Sequence, residues 1–222
     1  MGSKVFLIFF FASIISKSSQ AIKPEIILKN IEYLTPAIEI DEQFKPQYFN
    51  HNNNLRRKVG SPFIAKGQLL VIEGYVTDLL NIPIENARIR IWQTNNFGYY
   101  NYLARGLEDN TKYDVDFEST GTATTDSLGY YIFFTIIPGF FGNQAPYINF
   151  LIDHDRFEEF RTVMFFPNHP RNAIDNNYRQ LSLKNRELIT CKMRYINAHD
   201  KDYGKRCYFD IKLNVLHPTK RY

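Results

Sequence analysis

The sequence predicts an all-β fold, a two-sheet antiparallel β-sandwich, on three observations. Ala87, Ile89 and Ile91 alternate with Arg88 and Arg90, and Phe209, Ile211, Leu213 and Val215 alternate with Asp210, Lys212 and Asn214. A strand turns successive side chains to opposite faces, so each run has one face for a core and one for water. Aromatic residues make up 16% of the chain, which favours pleated surfaces over a helical bundle. Turn-forming clusters at Leu80 to Pro83, Asp126 to Gly129, Pro138 to Asn143 and Pro167 to Asn172 separate the apolar runs, the punctuation of a sandwich.

The elements follow in order. Met1 to Lys4 is a short basic start, Val5 to Ile15 is apolar, and Ser19 and Ala21 place small residues before a cleavage point. Residues 1–21 therefore read as a signal peptide, with export to the periplasm or exterior. Retention as a membrane anchor is the alternative, disfavoured because the apolar stretch is too short to span a bilayer. Residues 22–66 read as an N-terminal arm, with a short helix over Ile26 to Leu34 and breaks at Pro46 and Asn50 to Asn54. Residues 67–222 form the sandwich domain. Leu69 to Val76 and Tyr130 to Ile136 are more continuously apolar, as in central strands covered on both faces. Tyr147 to His154 reads as one strand, and Glu187 to Tyr195 and Arg206 to Val215 as two more.

Charge says little about partners. The formal net charge is +4, of which Lys4 and Lys17 leave with the signal peptide, so nothing argues for nucleic acid. Leu55-Arg56-Arg57-Lys58 is a basic run, read as a solvated loop, with an anionic lipid or glycan as the alternative. A hairpin centred on His199 sets Cys191 opposite Cys207, which predicts a disulfide in an exported chain; two buried free thiols are the alternative. Neither cysteine sits in a catalytic pattern.

The most specific signal is Trp92-Gln93-Thr94-Asn95-Asn96-Phe97-Gly98-Tyr99-Tyr100. Gly74-Tyr75-Val76-Thr77-Asp78, Ile82-Pro83-Ile84 and Ala87 precede it. Thr125-Asp126, Gly129-Tyr130, Phe133, Thr135-Ile136 and Pro138-Gly139 follow it. From roughly Gly67 to Val215 this series resembles the intradiol ring-cleavage dioxygenases, the catechol and protocatechuate enzymes. The resemblance implies a β-sandwich, a non-haem ferric iron, Fe(III), and insertion of both atoms of O2 into a catechol-type ring to give a muconate-type diacid. It further implies that Tyr99 to Asp116 passes over the substrate pocket and that the N-terminal segment supports a homo-oligomer.

Carried onto this chain, the family pattern makes Tyr100 a phenolate ligand to the metal. The second ligand tyrosine falls on Phe141, the two histidines on Tyr147 and Asn149, and the arginine that stabilises the ring carbanion on Gln144. Three of the four ligand positions are thus replaced, and a phenyl ring cannot ligate. Tyr147 could supply a second phenolate and Asn149 a carbonyl oxygen, a donor set unlike the parent. No histidine has a partner two residues away among His51, His154, His169, His199 and His217. His154 falls on the strand face opposite Tyr147 and Asn149, His169 in an exposed turn, and His199 at a hairpin tip. Two readings follow: a ferric dioxygenase, or an exported, non-catalytic relative that binds a partner or an aromatic ligand through the old pocket.

Overall fold

The computed structural model describes residues 33–104 and 110–215. Nine strands among these residues build two sheets: β1 (Leu69–Thr77), β2 (Arg88–Trp92), β3 (Thr120–Thr124), β4 (Tyr130–Ile136), β5 (Tyr147–His154), β6 (Phe157–Phe165), β7 (Lys192–Tyr195), β8 (Gly204–Tyr208) and β9 (Ile211–Lys212). The first sheet runs β4-β1-β8-β7 with β9 also on β1, and the second runs β3-β2-β5-β6. Three short helices lie between strands: α1 (Asn101–Ala104), α2 (Asn176–Arg179) and α3 (Leu183–Ile189). No helix among the described residues is long and apolar enough to cross a membrane. The segment expected to be a signal peptide lies outside the described residues, as does His217. So does the helix expected over 26–34, except for Tyr33 and Leu34, which are not helical.

Alternation fills the space between the sheets. Ile89 and Ile91 of β2 meet Ile148, Phe150 and Ile152 of β5 and, from the other sheet, Leu70, Ile72, Phe133, Phe209, Ile211 and Leu213 in one buried cluster. Each of these large side chains contributes roughly 1.5–3 kcal/mol by leaving water. The ladders are antiparallel except where β8 and β9 run parallel to β1. Gly74 makes that passage: a Cβ there would sit 2.0 Å from the Phe209 carbonyl oxygen, at the break between β8 and β9.

Four sequence expectations need correction. Of the two continuous apolar runs, β1 is central but β4 is an edge strand, and Tyr75 and Phe134 face outward at 46% and 38% exposure. The arm covers that edge instead, since Leu55 N–H donates to the Phe134 carbonyl at 2.8 Å and Phe134 N–H to the Asn53 carbonyl at 2.9 Å. Glu187 to Ile189 belongs to α3 rather than to a strand, because Ser182 caps the helix by accepting from Asn185 N–H. The β7–β8 register pairs Cys207 with Met193, not with Cys191, the longer tip displacing the pairing by two residues. Cys191 and Cys207 are buried free thiols beside each other. His169 is half-buried rather than exposed, its ring accepting from Arg171 N–H at 3.3 Å, and its pKa is lowered by burial and by Arg171.

A candidate aromatic site on the outer face of the second sheet

Two loops are interlocked so closely that glycine is required in both. Asn95 Oδ1 accepts from Phe97 and Tyr99 N–H at 2.9 and 3.1 Å, closing a turn that continues β2. Gly98 occupies a left-handed conformation, φ +83°, and a Cβ there would lie 2.0 Å from the Phe140 carbonyl oxygen. From the opposite loop a Cβ on Gly139 would lie 2.4 Å from Gly98 N. Gly139 N–H donates to the Asn95 carbonyl at 2.8 Å, and Thr94 hydroxyl donates to the Gly139 carbonyl at 2.7 Å. Gln93 ties the sheets together, donating to the Ile136 carbonyl at 3.0 Å and accepting from Thr135 hydroxyl at 2.9 Å. The motif residues thus act first as a clamp. Its effect is to bring Tyr100 and Phe141 together, ring centroids 5.8 Å apart.

Strand β5 supplies the other wall. Ile148 and Phe150 point into the core, so Tyr147 and Asn149 share the outer face, and Asn149 faces Trp92 across the ladder. Asn149 Nδ2 donates to the Trp92 carbonyl at 3.2 Å. The Tyr100 hydroxyl, in a side chain only 4% exposed, has Tyr147 and Asn149 as its polar neighbours, and Tyr147 hydroxyl donates to Gln144 Oε1 at 3.3 Å. Tyr100, Phe141, Gln144, Tyr147 and Asn149 therefore come together. Burial raises the pKa of Tyr100 and Tyr147, so both phenols are neutral at physiological pH.

The arm closes the site from outside. Phe44 stacks on Tyr100 with centroids 5.5 Å apart and planes at 17°, and meets Phe141 edge-on at 5.1 Å. Tyr102 lies 5.5 Å from Tyr100, and its hydroxyl donates to the Phe44 carbonyl at 2.5 Å. Phe49 packs edge-on against Trp92 at 5.7 Å. These arm residues carried no sequence signal, since nothing local links residue 44 to residue 100.

Comparison with known proteins places the fold. The family model described as Dioxygenase matches residues 43–214. The chain belongs to the intradiol ring-cleavage dioxygenase family. It is 32% identical over 126 residues to the protocatechuate 3,4-dioxygenase beta chain of Burkholderia cepacia, covering 53% of this chain and 52% of that one. It is 28% identical over 134 residues to a Rickettsia bellii protein provisionally named a dioxygenase, covering 58% and 64%. The match therefore spans less than two thirds of either relative. In fold it is similar to the dioxygenase domain of a dioxygenase carbohydrate-binding protein fusion from Streptomyces sp. SirexAA-E, at TM-score 0.63 and 20% identity over 82% of this chain and 99% of that one. It is likewise similar to an intradiol ring-cleavage dioxygenase of Tetranychus urticae, at TM-score 0.63 and 18% identity over 84% and 97%.

Among the described residues, no histidine stacks on or hydrogen-bonds Tyr100. His154 Nε2 is 3.1 Å from the Glu85 carbonyl, beyond a ladder irregularity after Ile152, and stacks on Phe157 at 5.5 Å. His51 and His199 are exposed. Among the described residues, no three side chains of His, Cys, Asp or Glu are grouped so as to hold a metal ion.

Proposed function

We propose that this chain is an intradiol-family β-sandwich that recognises a catechol-type or simpler phenolic ring at Tyr100 without iron-dependent ring cleavage. One observation carries the reading: the side chains gathered at Tyr100 are a second phenol, an amide and a phenyl ring. A ferric ion held as in the family needs two anionic phenolates and two imidazoles. Here Phe141 supplies no donor, and a phenol and an amide at Tyr147 and Asn149 stand where the resemblance implies imidazoles, so no nitrogen ligand is offered beside Tyr100. These residues do not fit that ion, and Gln144 carries no charge with which to stabilise a ring carbanion. What remains suits binding. Aromatic faces surround Tyr100, and hydroxyl and amide groups are placed to hydrogen-bond a phenol. Residues 1–21 support export, so the ligand would be met outside the cytoplasm.

Purification from iron-supplemented cells tests the reading. The expected protein is colourless, holds substoichiometric iron and leaves catechol intact under O2. Stoichiometric iron with a visible tyrosinate charge-transfer band and O2-dependent loss of catechol would restore the ferric dioxygenase.

A further inference from the structure

We propose that residues 41–45 of the arm form a displaceable plug, in which Phe44 stands where a monocyclic phenol would lie and such a ligand binds by evicting it. The inference rests on the reading that the Tyr100 recess receives an aromatic ring. Its geometric basis is that the chain already supplies one. The Phe44 ring is stacked on Tyr100 at 5.5 Å and set edge-on to Phe141 at 5.1 Å, both favourable arrangements for a six-membered ring. At the far end of Tyr100, Tyr147 and Asn149 offer the polar groups that a phenol uses and that a phenyl side chain cannot.

The plug is built to come out. It is a single 3-10 turn, Glu42–Phe44, capped by Asp41, with none of its residues fully buried. Besides the Tyr102 to Phe44 hydrogen bond, it is fastened by Glu42 to Arg161 and by Lys45 to Glu159 at 3.7 Å. Ion pairs as open to solvent as these, at 23–62% side-chain exposure, hold weakly and yield to salt. Glu42, Gln43 and Lys45 also line a cavity of about 720 Å3 that reaches Tyr102 and Tyr113. The turn thus has open space beside it. A ligand competing with Phe44 pays an affinity penalty set by the small population of the open form, so loosening the turn should raise apparent affinity.

Calorimetric titration of phenol into the full chain tests this, using wild type, Phe44→Ala and Arg161→Gln, with amide hydrogen exchange of residues 41–49 followed in parallel. Phe44→Ala should bind phenol at least tenfold more tightly than wild type, and Arg161→Gln should fall between them. Phenol should also speed exchange of the wild-type turn. Arg161→Gln leaves the recess lining unchanged, so it carries the comparison if Phe44→Ala fails to fold. Equal affinity in wild type and variants, with turn exchange unaltered by phenol, would overturn the plug and leave aromatic recognition standing. Absence of phenol binding in every folded form would overturn both.

Discussion

Arg206 places Nη1 at 2.8 Å from both carboxylate oxygens of Glu73, and the Tyr130 hydroxyl donates to the same carboxylate at 2.8 Å. The trio sits on the outer face of the first sheet, joining β8, β1 and β4. Burial alone would raise the Glu73 pKa, but the bonds from Arg206 and Tyr130 outweigh it and hold the carboxyl below its usual value of 4.5. Burial and Glu73 push Tyr130 up to about 12, so its donation persists through neutral pH. A carboxyl whose folded pKa lies below its unfolded one contributes stability above the unfolded value and loses it as pH falls through the folded value. Glu73→Gln should therefore cost about 1 kcal/mol at pH 7, a figure kept small by the exposure of Arg206. The difference from wild type should shrink as pH falls below 4.5. Urea unfolding across pH 2–7 measures it, and a gap as wide at pH 2 as at pH 7 would reject the assignment.

The clamp beneath Tyr100 predicts unequal tolerance at two left-handed glycines. Gly98→Ala meets both an unfavourable φ of +83° and the Phe140 carbonyl oxygen at 2.0 Å, whereas Gly142→Ala has φ +55° with open space around its Cβ. The first should lose at least about 2 kcal/mol and the second about 1 kcal/mol. Denaturant midpoints decide the matter: two equal losses would mean that the loops do not lock together as described.

Thiol chemistry separates the two expectations for the cysteines. Cys207 is held well above the ordinary thiol pKa, first by hydrogen bonding with the neighbouring Cys191 thiol and then by burial, so little thiolate is available in the folded protein. Protein purified without added oxidant or reductant should resist alkylation when folded and accept two labels when unfolded, as intact mass would record. A requirement for reductant before labelling would reinstate the Cys191–Cys207 disulfide.

Much of this fold was legible because its strands have strongly one-sided patterns. Ile89, Ile91, Phe209, Ile211 and Leu213 declare an inner face by alternation alone, and all are buried. The positions around Tyr100 were readable because short local motifs fix the turns at Asn95 to Gly98 and Pro138 to Gly139. Relations set by other forces were not. The Phe44 to Tyr100 stack joins residues far apart in sequence, and no local pattern encodes it. Glu187 to Ile189 has apolar residues compatible with a strand, but a serine cap upstream decides for helix. The register of Cys207 depends on the length of a polar hairpin tip, which the pairing arithmetic could not fix within two residues.

The last prediction restores the family's ligand types around Tyr100. Phe141→Tyr, Tyr147→His and Asn149→His, made together, would provide two phenols and two imidazoles. Tyr147 and Asn149 share the outer face of β5, and Phe141 already lies 5.8 Å from Tyr100, so the new groups converge without a change of register. Binding of ferric iron would then offset the burial that keeps the phenols neutral, because metal coordination favours the phenolate. The triple variant should take up about one iron per chain and become coloured, while the parent stays colourless. Adding Phe44→Ala should speed iron entry by removing the ring that covers Tyr100. Catechol turnover should remain poor until Gln144→Arg supplies a positive charge beside the site, since stabilising a developing carbanion requires a preorganised cation. Iron content and visible spectra read the first step, and O2 consumption with catechol reads the second. A folded triple variant that binds no more iron than the parent would show that the Tyr100, Phe141, Tyr147 and Asn149 positions do not correspond to the family's metal ligands.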